Sequence, residues 1–232
     1  MSLQDTKARV LAANLELPRL GLVAYTWGNV SARTASGDAV VIKPSGLPYD
    51  TMRADDMVVV ALDGRVVEGS RKPSSDLATH LALYRAFPAL GGIVHTHSMW
   101  ATAWAQACRD IPALGTTHAD YFHGPVPCTA ELNEAQTRGA YEHETGVAIV
   151  ECFRARQIDP AAMPAALVAH HGPFTWGPDP DAAVHTAAVL ELTAQMALLS
   201  LQLQPALPGM PRHLLDRHFL RKHGPGAYYG QR

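Results

Sequence analysis

Cysteine is scarce in this chain. Its 232 residues hold three, Cys108, Cys128 and Cys152, far apart and without a Cys-x-x-Cys pair. Neither a disulfide framework nor a thiolate zinc site is indicated, and a reducing compartment fits best. Long apolar runs are missing too. No stretch of about 18 uncharged apolar residues occurs, and Asp5, Lys7 and Arg9 come before any apolar segment, which argues against a membrane span or a targeting signal. Basic charge is also short: the net charge is −2 and the pI about 6.6. With no basic run longer than Leu220-Arg221-Lys222-His223, nucleic acid is not an expected partner. Internal repeats, low-complexity tracts and linkers are absent. What is present is 47% apolar composition, enough for one substantial core. The expectation is a single domain over residues 1–232, soluble and cytoplasmic, with no membrane partner.

Helical spacing over residues 4–16 lines up Val10, Leu11, Leu15 and Leu17, and Pro18 ends the pattern. Strand patterns follow at 22–26 and 39–42. Between them, Trp27-Gly28-Asn29-Val30-Ser31 offers a glycine, an amide and a hydroxyl at a turn beside a ligand. The second strand runs into Lys43-Pro44-Ser45-Gly46, whose N–H groups and hydroxyl can face an anion. A strand over 57–62, Asp63-Gly64 and Arg65-Val66-Val67-Glu68 spell a hairpin, so antiparallel sheet is expected. Lys72-Pro73-Ser74-Ser75-Asp76 precedes an amphipathic helix over 77–87. Ser74 or Ser75 would be its N-cap and Asp76 would lie in its first turn, a place that also suits phosphate. Thr116-Thr117-His118-Ala119-Asp120-Tyr121 reads as a polar loop. Residues 131–157 read as helix interrupted at Gly139 and Gly146, with Glu142 and Glu144 facing solvent. A long apolar helix spans 181–202, and a last helix, 210–221, carries Leu214, Leu215, His218 and Phe219. The closing Gly224-Pro225-Gly226-Ala227-Tyr228-Tyr229-Gly230 is like a dinucleotide fingerprint only superficially, because its last glycine is one residue late and no strand and helix flank it.

The centre of the pattern is Gly91-Gly92-Ile93-Val94-His95-Thr96-His97-Ser98, a buried strand with two histidines at its exit and Ser98 placed to cap the next helix. Alternation turns His95 and His97 to one face, about 7 Å apart along the strand, within reach of one metal ion. A second apolar run, 165–169, leads into His170-His171-Gly172. If that run is a strand, only one of the two histidines can join the first pair, and spacing does not choose between them. Three histidine ligands with open positions make a catalytic type of site, since structural zinc is usually closed by four protein ligands.

Together these blocks, with Lys72-Pro73-Ser74-Ser75-Asp76, His171-Gly172-Pro173-Phe174 and Ala227-Tyr228-Tyr229-Gly230, closely resemble the class II aldolase superfamily over nearly the whole chain, and in particular its L-ribulose-5-phosphate 4-epimerase branch. The resemblance implies an α/β fold with a central, mainly antiparallel sheet flanked by helices, assembled as a homotetramer with active sites at subunit interfaces. It implies that His95, His97 and His171 hold a divalent metal, zinc or another such as manganese or cobalt, with Asp76 at or near it. Gly28, Asn29, Lys43, Ser45, Gly46, Ser74 and Ser75 match substrate and phosphate contacts. Asp120 and Tyr229 match an acid/base pair, with Tyr229, like His218, reaching in from a neighbouring subunit. His170 and His123 stand where the branch has a smaller polar residue and a tyrosine.

The implied reaction interconverts L-ribulose 5-phosphate and D-xylulose 5-phosphate, as in arabinose or ascorbate catabolism. The C4 hydrogen lies β to the carbonyl and is not acidic, so simple deprotonation cannot invert that centre. Hydride removal would need a nicotinamide site that the sequence lacks, which leaves retro-aldol cleavage of C3–C4, rotation of the aldehyde and re-addition. That route needs an electrophile and a proton carrier on each face. The alternatives are a sugar-phosphate aldolase, whose relatives carry glutamate at the position of Asp76, a non-catalytic head domain of the adducin kind, which lacks the metal ligands, and a metal-dependent hydrolase barrel, which usually needs a longer chain.

Overall fold

Among the described residues the strands are β1 (Asn29–Arg33), β2 (Ala39–Ile42), β3 (Val58–Ala61), β4 (Val66–Glu68), β5 (Gly92–His95), β6 (Ala165–Leu167) and β7 (Pro173–Gly177). They make one seven-stranded sheet in the order β4-β3-β2-β1-β5-β7-β6, and each neighbouring pair is antiparallel. The helices are α1 (Leu3–Arg19), α2 (Leu77–Ala86), α3 (Met99–Gln106), α4 (Thr116–Ala119), α5 (Glu134–Arg138), α6 (Tyr141–Ala155), α7 (Pro180–Leu203) and α8 (Arg212–His223). This computed structural model describes residues 2–223 and 226–229. Gly224, Pro225 and Gly230 of the C-terminal motif lie outside the described residues.

The α/β sheet flanked by helices is as expected, and alternation within its strands explains the layers. Val40, Ile42, Val58, Val60 and Ile93 face one way, into a core with Leu81, Leu83 and Tyr84 of α2 and Ile149 and Phe153 of α6. Val30 and Val94 face the other way, against Ala13 and Leu17 of α1 and Ala183, Val184 and Ala187 of α7, while Val41 and Val59 meet Val10. With both faces covered, β2 and β3 are continuous apolar runs, and β5 is apolar up to His95. Each fully buried Val or Ile contributes about 1.5–3 kcal/mol.

Several boundaries differ from the sequence expectations, each for a tertiary reason. Residues 22–26 form no strand; the strand begins at Asn29, within the segment expected to turn. There the Asn14 amide donates to Val30 O (3.2 Å), and Val30 N donates to Asn14 Oδ1 (2.9 Å), fixing α1 to β1. Helix α1 runs through Pro18 to Arg19, and it buries Thr6, Lys7 and Asn14 while Leu15 is exposed. Residues 116–119 are a short helix, not a loop. Gly139 ends α5, but Gly146 does not interrupt α6. A Cβ at Gly146 would lie 2.6 Å from Ala82 Cβ and 3.0 Å from Thr79 O, so the glycine lets α6 approach α2. Asp76 itself is the N-cap residue of α2 and makes no side-chain capping bond. Ser98 makes none for α3 either. The Glu191 carboxylate of α7 accepts from Trp100 N (2.8 Å) and Ala101 N (2.9 Å) instead, a role favoured by the positive end of the α3 dipole.

By length and composition α7 is apolar enough to cross a membrane, and half of its most apolar part is buried inside the chain. It is the expected long apolar helix, but Leu192, Met196, Leu199 and Leu203 remain exposed in the single chain.

Candidate active site

β5 delivers the first histidine. In the antiparallel register His95 lies opposite Asn29 of β1 on one side and Phe174 of β7 on the other. Its ring stacks on Phe174 with centroids 4.2 Å apart. The Nδ1–H donates to Pro173 O (2.9 Å), and because a carbonyl only accepts, this fixes the tautomer and turns the Nε2 lone pair outward. Burial pushes the His95 pKa down to about 3, with Asp76 opposing, so the ring stays neutral, as a metal ligand must be.

The strand ends at His95, so His97 lies just beyond it, yet the two rings meet as alternation anticipates. Their Nε2 atoms are 3.1 Å apart. His171 completes the group, with its ring centroid 4.8 Å from that of His95 and 5.0 Å from that of His97. Its route differs from the expected one. β6 stops at Leu167, and His170 and His171 sit in the turn before β7. There His171 N donates to Val168 O (3.0 Å) and His170 takes a left-handed φ of 60°. The turn sends His171 to the cluster and His170 away from it.

All the ligand nitrogens of His95, His97 and His171 lie within 4.8 Å of one another. Two metal–nitrogen bonds of about 2.0–2.1 Å in a tetrahedron place their nitrogens about 3.3 Å apart, so the donor spacing and the neutral imidazoles fit a single zinc-like ion. His97 is exposed, which leaves one side of the cluster open.

Asp76 approaches from the start of α2. Asn29 Nδ2 donates to Asp76 Oδ2 (2.7 Å) and to Ser74 Oγ (3.0 Å). Burial raises the Asp76 carboxyl, but the imidazoles of His95, His80 and His171 and the Asn29 amide outweigh it and hold the group below the ordinary carboxylate range.

Asp76 and the three histidines line a cavity of about 540 Å³ whose wall also includes Gly28, Asn29, Lys43, Ser45, Gly46, Ser74 and Ser75. Two of the N–H groups on this wall are committed: Ser45 N donates to Lys72 O and Ser74 N to Lys43 O, both at 2.9 Å. The anion-binding capacity therefore rests on the hydroxyls, on the remaining N–H groups and on Lys43. The Lys43 ammonium is buried and donates to Thr26 O (3.0 Å). Burial pulls its pKa down while Asp76 pulls it up. Gly28 closes the corner at φ +74, where a Cβ would meet Val23 at 2.6 Å and His95 O at 3.0 Å.

Thr26, Trp27, Tyr141 and Glu142 also line the cavity, and sequence reasoning assigned none of them. Glu142, expected to face solvent, is instead half-buried at the rim. The Tyr141 hydroxyl is 3.2 Å from His171 Nδ1, a relation that no local spacing announces.

Asp120, His218 and Tyr229 do not line this cavity. They gather around Arg221 of the same chain, whereas the sequence reading drew Asp120 and Tyr229 from two chains. His218 Nδ1 is 2.9 Å from Asp120 Oδ1, Arg221 donates to both Asp120 oxygens at 3.1 and 2.7 Å, and Lys222 Nζ stands 3.5 Å away. The Arg221 guanidinium lies 4.4 Å from the Tyr229 ring centroid. Burial alone would raise the Asp120 carboxyl, but Arg221, His218 and Lys222 hold it below the ordinary range. It is thus an ionised acceptor of reduced basicity.

Against known proteins, residues 8–198 match the family described as Class II Aldolase and Adducin N-terminal domain. The chain is 55% identical to the L-ribulose-5-phosphate 4-epimerase UlaF of Salmonella paratyphi C over 99% of this chain and all of the relative. Its fold is similar to that of an L-fuculose 1-phosphate aldolase, at TM-score 0.78 and 23% identity, covering 94% of this chain and 96% of the other. The L-fuculose-1-phosphate aldolase of Thermus thermophilus is also similar, at TM-score 0.67 and 26% identity over 88% and 98% of the two chains. From the match to the family model and the identity with the epimerase, the chain belongs to the class II aldolase family.

Proposed function

We propose that this chain is a metal-dependent L-ribulose-5-phosphate 4-epimerase, a single-domain protein of the cytoplasm acting as a homotetramer. The observation that carries the reading is one cavity with two chemistries. A cluster of three imidazoles and a set of hydroxyls, N–H groups and one buried ammonium line the same space. A phosphorylated sugar matches both, and 55% identity to an epimerase of that substrate supports the assignment.

His95, His97 and His171 would hold a divalent ion, zinc by the character of the donors, with manganese or cobalt able to replace it, and such an ion would supply the electrophile that cleavage of C3–C4 needs. The protein does the rest. Ser45, Gly46, Ser74 and Ser75, with Lys43, hold the phosphate, so the aldehyde fragment stays bound while its carbonyl rotates. Asn29 orients Asp76 beside the imidazoles and holds its carboxylate there. Gly28 gives the sugar room against the β5 exit.

Asp120 and Tyr229 carry the C4 hydroxyl proton on opposite faces of the aldehyde. Because both belong to a cluster away from the cavity of their own chain, they serve the cavity of a neighbouring subunit, with His218 beside them. Asp120 accepts as a carboxylate, and Arg221 sets how strongly. The test is isotopic. Deuterium at C4 of L-ribulose 5-phosphate is expected to remain in D-xylulose 5-phosphate, with no added nicotinamide. Loss of label to water in step with turnover would overturn the cleavage mechanism, and absence of the product would overturn the function.

A further inference from the structure

Cys108, Glu131 and His170 lie outside the cavity and take no part in the reaction, yet three segments bring them together. Cys108 follows α3, Glu131 precedes α5, and His170 is on the turn between β6 and β7. Cys108 Sγ is 3.3 Å from His170 Nε2 and 3.9 Å from Glu131 Oε1. Glu131 Oε1 is 3.5 Å from the same His170 nitrogen. The His170 backbone N–H donates to Ala105 O (2.9 Å), which ties the turn to α3.

We propose that these side chains form a second metal site, for a thiophilic divalent cation of the zinc class. Tetrahedral bonds of about 2.3 Å to sulfur and 2.0–2.2 Å to nitrogen and oxygen place the donors about 3.4–3.6 Å apart, close to the three separations observed. The donor set mixes thiolate, imidazole and carboxylate, which selects zinc, cobalt or cadmium over magnesium or calcium. A catalytic relay would be built differently: its carboxylate would hold the ring nitrogen opposite the thiol, whereas here thiol and carboxylate both approach Nε2.

The backbone supports the assignment. Four non-glycine residues among those described have positive φ, and two of them are Cys108 (52°) and His170 (60°). Such conformations cost of order 1–3 kcal/mol each and persist where surrounding structure imposes them. Glu131 and His170 are exposed, so a bound ion keeps an open position for water and binds less tightly than at a closed structural site. Binding exchanges the Cys108 thiol proton for the cation, Cys–SH + M²⁺ giving Cys–S–M⁺ + H⁺. Since His170 and His171 are consecutive, an ion here also braces the turn that presents His171.

Cobalt(II) titration of the metal-free, full-length protein tests the proposal, because the site of three histidines contains no sulfur. Two equivalents per chain are expected, one of them with the near-ultraviolet charge-transfer band of a cobalt thiolate. Cys108→Ser should lose that band and that equivalent and keep the other. His170→Asn, whose asparagine tolerates a left-handed φ, should weaken the band-forming equivalent at least tenfold and serves alone if Cys108→Ser does not fold. A single equivalent in the wild type, or a band that survives Cys108→Ser and so arises from Cys128 or Cys152, would overturn the assignment.

Discussion

Asn29 and His95 face each other across adjacent antiparallel strands, and through that register the amide that grips Asp76 is set beside the first metal-type ligand. Strand pairing thereby joins the anion wall and the imidazole cluster in one rigid unit. Among the described residues Asn29 Oδ1 is buried without a hydrogen-bond partner.

Removing the amide should therefore be costly. Asn29→Ala is expected to lose about 1–3 kcal/mol of stability, since Asp76 keeps its charge without its donor. Asn29→Asp should be worse at pH 7, where two carboxylates would meet. That excess should shrink as the pH falls into the carboxylate range and one of them protonates. Urea denaturation at several pH values measures it, and an Asn29→Asp protein as stable as the wild type at pH 7 would refute this account of the pair.

Metal binding should fail without unfolding. His97→Ala or His171→Asn is expected to remove tight binding at the imidazole cluster and nearly all turnover while the circular dichroism stays native, because the site is open and the core does not depend on it. Elemental analysis showing this equivalent retained in either variant would reject the ligand set.

His80 predicts an acid-sensitive fold. The ring is fully buried, with Nδ1 2.7 Å from Ser31 Oγ, and burial lowers its pKa to about 4, against partial opposition from Asp76. The unfolded chain binds the proton first, from an ordinary value of about 6.5. The stability that His80 contributes above pH 6.5 is then lost as the pH falls toward 4, by about 3 kcal/mol over that window. His80→Leu should flatten this part of the pH profile. An unchanged slope in the variant would place the acid sensitivity elsewhere.

Mixed oligomers should reveal which chain supplies what. On the proposal that the Asp120 and Tyr229 cluster of one chain serves the cavity of another, mixing His97→Ala with Asp120→Asn subunits should restore activity in the sites that pair one intact cavity with one intact cluster. Mixing Asp120→Asn with Tyr229→Phe should restore none, since every cluster is then damaged. Activity in the second mixture equal to that in the first would contradict the arrangement.

Local periodicity was enough to read the apolar strands around Val40 and Val59, the Asp63-Gly64 hairpin, the long apolar helix and the pairing of His95 with His97, because each is encoded within a few residues. Family resemblance in the motifs then pointed to His171 and to the glycine, serine and lysine residues found lining the cavity. Tertiary structure alone decided the remainder. His171 reaches the cluster from a turn, and β7 supplies both the Phe174 stack and the Pro173 carbonyl to His95, 78 positions away in sequence. Asp76 is held by Asn29 across 47 positions, and Asp120 by Arg221 across 101. Tyr141 and Glu142 come to the cavity because α6 can pack closely on α2 at Gly146. Spacing in a sequence reports which face of its own element a side chain occupies; which other element lies against that face is settled by burying apolar surface over the whole chain.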